Sequence, residues 1–277
     1  MADKPAGGSK PDLATIGGLL IGFGGILGGL ILEGGSVREI LAPTALLIVL
    51  GGTAGAVMVT TPMAVLKQSF KVLASVFFEK SQAPEAMIEQ IVGFATKARK
   101  NGIVSLEQDV TDVADPFLKK ALALAVDGTD LQELRKMMEL AIGLDEHHAE
   151  AEAKVFEGAG GYAPTIGIIG AVMGLMQVMK DLADIEKVGH GIATAFIATI
   201  YGVGFSNLLF LPAGSKIKAR AQMNTEMQEL ILEGVVGIVE GLNPKLIRSK
   251  LEAYVQHGGA KEGQAGKPVK AGKGAAS

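Results

Sequence analysis

The side chains best placed for chemistry in this sequence are polar and uncharged. Thr165 follows Pro164 near the start of one apolar stretch. Thr194, Thr199 and Tyr201 lie in a second, beside the small residues Gly202 and Gly204 and ahead of Pro212. Oxygen-bearing side chains in such surroundings suit the wall of an ion pathway. They suit it only as a wall, because no Asp, Glu, Lys, Arg or His lies in the hydrophobic centre of any apolar stretch. An ion that sheds its water inside a membrane normally meets such a group, so a complete pathway would draw its carboxylate from another chain. Each of these residues also has a plain structural reading. A membrane threonine can bond back to its own helix carbonyl, Pro164 can be a first-turn proline, and Pro212 can be a helix stop.

Other chemistries are poorly served. The absence of cysteine removes disulfides and thiolate metal sites. His147, His148, His190 and His257 are too scattered to form a metal site, and the first two sit in an acidic helical stretch, DEHHAEAE, that reads as solvated. There is no phosphate-loop signature and no nucleophile motif. A net charge of -3 and the lack of a basic stripe give no basis for nucleic-acid binding. No catalytic residue, metal or cofactor is therefore expected, and the chain is not read as an enzyme.

The elements that must carry these residues follow from hydropathy. The 277 residues are 48% hydrophobic, with a mean hydropathy of +0.35. Charge is crowded into residues 67–157 and the region after Pro212. Crossing roughly 30 Å of hydrocarbon takes about 20 apolar residues in a helix. Four stretches qualify: 13–32, 40–61, 162–179 and 191–211. The first is longer than a signal-peptide core and no small-residue cleavage site follows it, so it is expected to be retained. Glycines in GGLLIGFGGILGG and GIIGAVMG recur at three- and four-residue spacing, which lets helix backbones approach closely.

Two short connections alternate with a long one of about 100 residues. Lys4, Lys10, Lys67, Lys71, Lys216, Lys218 and Arg220 flank the spans on one side, which by the positive-inside rule is the cytoplasm, with both termini there. The long connection and the segment TEMQELILEGVVGIVEGLNPKLIRSKLEAYV show helical periodicity, the latter with a break at Asn243–Pro244. The expectation is an all-α polytopic membrane protein with four transmembrane helices and a helical cytoplasmic domain. Its divisions run 1–12 (cytoplasmic N-terminus), 13–61 (spans one and two), 62–161 (cytoplasmic helical loop), 162–212 (spans three and four), 213–257 (cytoplasmic helices) and 258–277, a Gly/Ala/Lys tail without a core.

Three segments then carry a resemblance. GGYAPTIGIIGAVMGLMQVM (160–179), GIATAFIATIYGVGFSNLLFLP (191–212) and ARKNGIVSLEQD (98–109) are similar to the signature of the MotA/PomA flagellar stator family, related to TolQ/ExbB. The likeness extends over about residues 13–255 and includes the order of spans. It implies a homopentamer in the bacterial inner membrane around a MotB-like, single-span, peptidoglycan-binding partner that brings a membrane aspartate. It further implies cytoplasmic loops that push on the rotor switch-complex protein FliG. Carried over residue by residue, Pro164 and Pro212 fall on the membrane prolines that couple ion flow to torque, and Thr199 on the threonine facing the partner aspartate. Arg99 and Glu107 fall on the loop charges that engage the rotor. Their eight-residue separation puts them on one helix face, provided that Asn101–Gly102 does not interrupt the helix.

Members that use sodium often carry threonine where this chain has Ala171, and another next to the span-four threonine, where it has Ala198. A dehydrated Na⁺ needs several oxygen ligands and a proton needs fewer, so the resemblance implies H⁺. A TolQ/ExbB-like or other stator-like subunit driving a non-flagellar process is the alternative. Such relatives typically have three spans.

Overall fold

Asp12 starts the first helix. Its carboxylate accepts the Thr15 amide at 2.9 Å and so supplies an N-cap. The computed structural model describes residues 10–79 and 83–262. α1 (Leu13–Leu32) is apolar apart from Thr15 and ends where Gly34 takes φ +86. α2 (Pro43–Thr60) opens on a first-turn proline, contains a π turn at Leu47–Gly51 and stops ahead of Pro62, whose ring disfavours helical geometry at Thr61. α3 (Met63–Val76) follows. Beyond it a two-residue strand β2 (Phe78–Glu79) pairs antiparallel with β1 (Lys10–Pro11), the one sheet contact among the described residues.

α4 (Pro84–Asn101) ends at Gly102, whose φ of +83 breaks the helix. A 3₁₀ turn (Ile103–Leu106) leads into α5 (Glu107–Asp112). α6 (Pro116–Val126) is capped by Asp115. Two long helices then dominate: α7 (Leu131–Lys180) of 50 residues and α8 (Ile185–Val239) of 55. Gly241 and Asn243 separate α8 from α9 (Pro244–Glu262), the break expected at Asn243–Pro244.

Among the described residues four helices are therefore long and apolar enough to cross a membrane, and the fold is all-α and polytopic. Spans three and four are the apolar parts of α7 and α8, which continue without interruption into charged sequence. Pro164 is consequently an interior residue of α7 rather than a first-turn proline. Pro212 does not stop a helix either: α8 runs past it for 27 residues to Val239. α9 extends through Glu262, past the point where the tail was expected to lose structure, and residues 263–277 lie outside the described residues.

The chain divides into two compact units, Met1–Ser81 with Glu146–Gln222, and Gln82–Asp145 with Met223–Ser277. Those divisions fall inside α7 and α8, away from the span ends that hydropathy marks. In the first unit small clusters hold the helices together. Val76, Ala153, Phe156, Ala213 and Ile217 form one, and Ala45, Val49, Ile197 and Ala198 another. The second unit has one continuous core, with Ile91, Leu118, Leu134, Ile231 and Leu251 among its members. Burial of aliphatic side chains of this kind contributes about 1.5–3 kcal/mol each.

α1 has no fully buried residue, yet one end is firmly tied. The Asp12 carboxylate, 7% exposed, meets Lys216 Nζ at 2.6 Å and Arg220 at 2.9 Å. The Arg220 guanidinium also donates to the carbonyls of Phe78 and Val76. Lys216, then the Thr15 amide and Arg220, hold the Asp12 carboxyl far below the usual carboxylate range. A lowered folded-state value means that the stabilisation is complete above the ordinary carboxylate pKa of about 4 and is lost as pH falls below it. Asp12→Asn should lower stability by about 2 kcal/mol, a figure reduced because both cations are partly solvated. Thermal melts across pH 3–7 check this: the variant should lose much of the acid dependence seen in the natural chain.

Candidate ion-pathway and coupling site

The site rests on how closely α7 and α8 approach. Gly167, Gly170 and Gly174 line one face of α7 and oppose Gly202, Ala198, Ala195 and Gly191 on α8 in antiparallel order. A Cβ placed on Gly167 would lie 2.8 Å from the Ala198 carbonyl, and one on Gly202 would lie 2.6 Å from the Ala163 carbonyl. Real Cβ atoms do not come that near, so these two positions admit only glycine. The glycine spacing in GIIGAVMG had signalled such packing, and here it has named partners. In GGLLIGFGGILGG only Gly22 meets a neighbour, the Leu208 side chain, and the other glycines of that run face nothing within 4 Å among the described residues.

Pro164 sits in the seam, with its Cα 3.2 Å from where a Gly202 Cβ would be. Thr199 lies one turn of α8 away, half-buried, and its hydroxyl donates to Ala195 O at 3.3 Å. Thr165 is exposed on α7 and donates to Tyr162 O at 2.8 Å, while Thr194 donates to His190 O. These three threonines take the back-bonded arrangement that is the plain alternative for a helical hydroxyl. Each keeps oxygen lone pairs free to accept.

Tyr201 points elsewhere. Its hydroxyl donates to Ile40 O at 2.5 Å and lies 3.3 Å from the Ala42 amide, which ties α8 to the chain just ahead of α2. Its polar group thus holds backbone. Ala198 is fully buried in the seam, where Gly170 faces it. Ala171, the next residue along α7, is half-buried. Around them α7 and α8 present a broad apolar surface that includes Ile168, Met176 and Phe196.

Pro212 lies in α8 two residues after the end of a π turn, Ser206–Phe210. A proline in a helix lacks its N–H and crowds the carbonyl four residues back, here that of Leu208. Widening the preceding turn makes room: the Leu211 amide reaches back to the Ser206 carbonyl. Ser206 and its turn are what sequence reading missed. The signal was the polar pair Ser206–Asn207 inside an apolar run, six residues before a proline.

Arg99 and Glu107 lie in the second unit. Gly102 does interrupt the helix, so the two residues belong to different elements and share no helix face. Lys97 and Asp109 bridge that corner at 2.6 Å. Arg99 and Glu107 are both exposed and make no ion pair among the described residues. Arg99 also lines a pocket of about 380 Å³ with Ala98, Ile103, Val239 and Leu242. Among the described residues no group of three His, Cys, Asp or Glu side chains gathers as a metal site.

Comparison with known proteins now decides the family. Residues 109–230 match the MotA/TolQ/ExbB proton channel family, and residues 16–102 match the motility protein A N-terminal family. Motility protein A of Helicobacter pylori is 35% identical over 253 residues, covering 91% of this chain and 98% of that protein. The chain belongs to the motility protein A family. Motility protein A of Bacillus subtilis is 33% identical over 88% of the chain and 91% of that protein. The chemotaxis protein PomA of Vibrio alginolyticus is 34% identical over 89% and 96%. A solved structure of C. jejuni MotAB superposes with a TM-score of 0.84 at 34% identity, covering 88% of this chain and 95% of that one. The flagellar MotAB stator complex from Bacillus subtilis gives 0.83 at 32% identity, covering 91% and 100%.

Membership of the motility protein A family, with four membrane-length helices, makes this a multi-pass inner-membrane protein and not an enzyme. The separate match at residues 16–102 favours the motility proteins over the TolQ/ExbB side of the wider family. Within such a chain the α7–α8 seam should be intolerant of bulk. Gly202→Val should cost about 1–3 kcal/mol through overpacking and lower the amount of folded protein in membranes. Gly204→Ala, where an added Cβ meets nothing within 4 Å, should be neutral. Membrane abundance and melting temperature of the two variants decide this.

Proposed function

We propose that this chain is a stator subunit of a bacterial flagellar motor and that, with a MotB-like single-span partner, it forms an H⁺ channel whose ion flow drives torque. The observation that carries the reading is similarity over 88–91% of the chain to structures of MotAB complexes, in a chain whose own spans hold no Asp, Glu, Lys, Arg or His at their centres. Such a chain supplies a wall and leaves the carboxylate to its partner. The resemblance adds a homopentamer around that partner, both termini in the cytoplasm, and FliG as the rotor protein engaged.

In this reading Thr199 and Thr165 contribute pathway oxygens, and Pro164 and Pro212 are the flexible points that couple ion passage to movement. Arg99 and Glu107 form the rotor-facing charges. Their exposure, and the absence of an ion pair to either among the described residues, support that role, since weak, screened contacts suit an interface made and broken at every step. Ala171 and Ala198 withhold the hydroxyls that a dehydrated Na⁺ would want, which supports H⁺.

Deleting the gene should leave cells with normal filaments that do not rotate, as seen by flagellar staining with swimming microscopy. Normal swimming in a strain without a second stator set would refute the reading. Arg99→Glu should cut torque severalfold at unchanged membrane abundance, read from speed under viscous load. Swimming should also persist when sodium is replaced by potassium at constant proton-motive force; collapse would assign the channel to Na⁺.

A further inference from the structure

Pro164 has no amide hydrogen, so the Gly160 carbonyl four residues earlier loses its helical donor. In hydrocarbon there is no water to replace it. The Ser206 hydroxyl does so, donating to Gly160 O at 2.6 Å, and Ser206 is only 2% exposed. Other helical hydroxyls in this chain behave differently. Those of Thr60, Ser69, Thr96, Thr194 and Thr199 bond back to a carbonyl of their own helix. Ser206 instead reaches across from α8 to α7.

Ser206 is also the first residue of the π turn that relieves Pro212. Its carbonyl takes the Leu211 amide, and Leu211 in turn packs on Gly160, where an added Cβ would lie 2.5 Å from Leu211 Cδ2. One serine therefore joins both proline distortions: its hydroxyl holds the carbonyl freed by Pro164, and its backbone closes the turn ahead of Pro212.

We propose that Ser206 is a positioning residue that couples the two proline sites of α7 and α8 through its hydrogen bond to the Gly160 carbonyl. The functional side of this rests on the reading that those prolines link ion flow to torque. The hydrogen-bond side does not, and the two are separable.

The test uses the full chain with its partner and four variants: Ser206→Ala, Ser206→Thr, Pro164→Ala and the double variant Pro164→Ala with Ser206→Ala. Ser206→Ala should lower the melting midpoint of the purified complex by about 2–4 °C. In the Pro164→Ala background the same change should have little effect, because residue 164 now offers Gly160 its own amide. In cells Ser206→Ala should reduce stall torque at unchanged membrane abundance, with Ser206→Thr restoring much of it. If Ser206→Ala does not accumulate, Ser206→Cys, a weaker donor of similar size, replaces it under the same criteria. Equal midpoint losses in both backgrounds, or natural torque in Ser206→Ala, would overturn the proposal. Because the melting cycle needs no motor, failure of the stator reading would leave its outcome intact.

Discussion

Hydrocarbon offers a backbone no hydrogen-bond partner, and that constraint organises the membrane part of this chain. Helices are the only open choice, and their close packing has to be achieved with small residues because apolar side chains gain little by leaving lipid. The seam of Gly167, Gly170 and Gly174 against Gly202, Ala198, Ala195 and Gly191 is the outcome. Two prolines violate the rule by removing amides from within α7 and α8. The Ser206 hydroxyl replaces the donor lost at Pro164, and a π turn makes room for the ring of Pro212. The repairs fall at one crossing because Gly160 and Leu211 touch there.

Charge obeys the same constraint from outside. Asp12, Lys216 and Arg220 gather at the end of α1, where a carboxylate can be both helix cap and ion-pair partner. The second unit is stabilised by ordinary aliphatic burial, with surface pairs such as Arg248–Glu89 and Arg135–Glu233 around it. Arg99 and Glu107 are left out of that pairing, set on two helices by the Gly102 corner and braced by Lys97–Asp109. A corner of this kind presents two charges of opposite sign without letting them neutralise each other along one helix.

Much of the fold was legible because membrane helices are written in composition. The span 13–32 coincides with α1, and the break at Asn243–Pro244 separates α8 from α9. What hydropathy could not give was where a membrane helix stops, since a helix leaving the bilayer changes its solvent and keeps its hydrogen bonds. α7 and α8 therefore outran the spans assigned to 162–179 and 191–211. The helix-stop alternative left open for Pro212 applied a local rule without the π turn that absorbs the proline. Among the candidate site residues, Pro164 and Ala198 lie in the α7–α8 seam, Thr199 bonds back to Ala195 on its own helix, and the Tyr201 hydroxyl holds the Ile40 carbonyl. Helix periodicity fixes a side chain's angle on its own helix. It does not say which neighbour occupies that angle, and that gap is also why Ser206 went unseen.

The most direct test of the central claim, that these four spans are a wall needing a carboxylate from a second chain, is rotation of tethered cells in a host lacking both stator components. Three strains are compared: this chain alone, the single-span partner alone, and the two together. The expected result is rotation only with both, and its loss when the partner's membrane aspartate is replaced by asparagine. Sustained rotation with this chain alone would contradict the division of labour and require an ion-binding group within these spans.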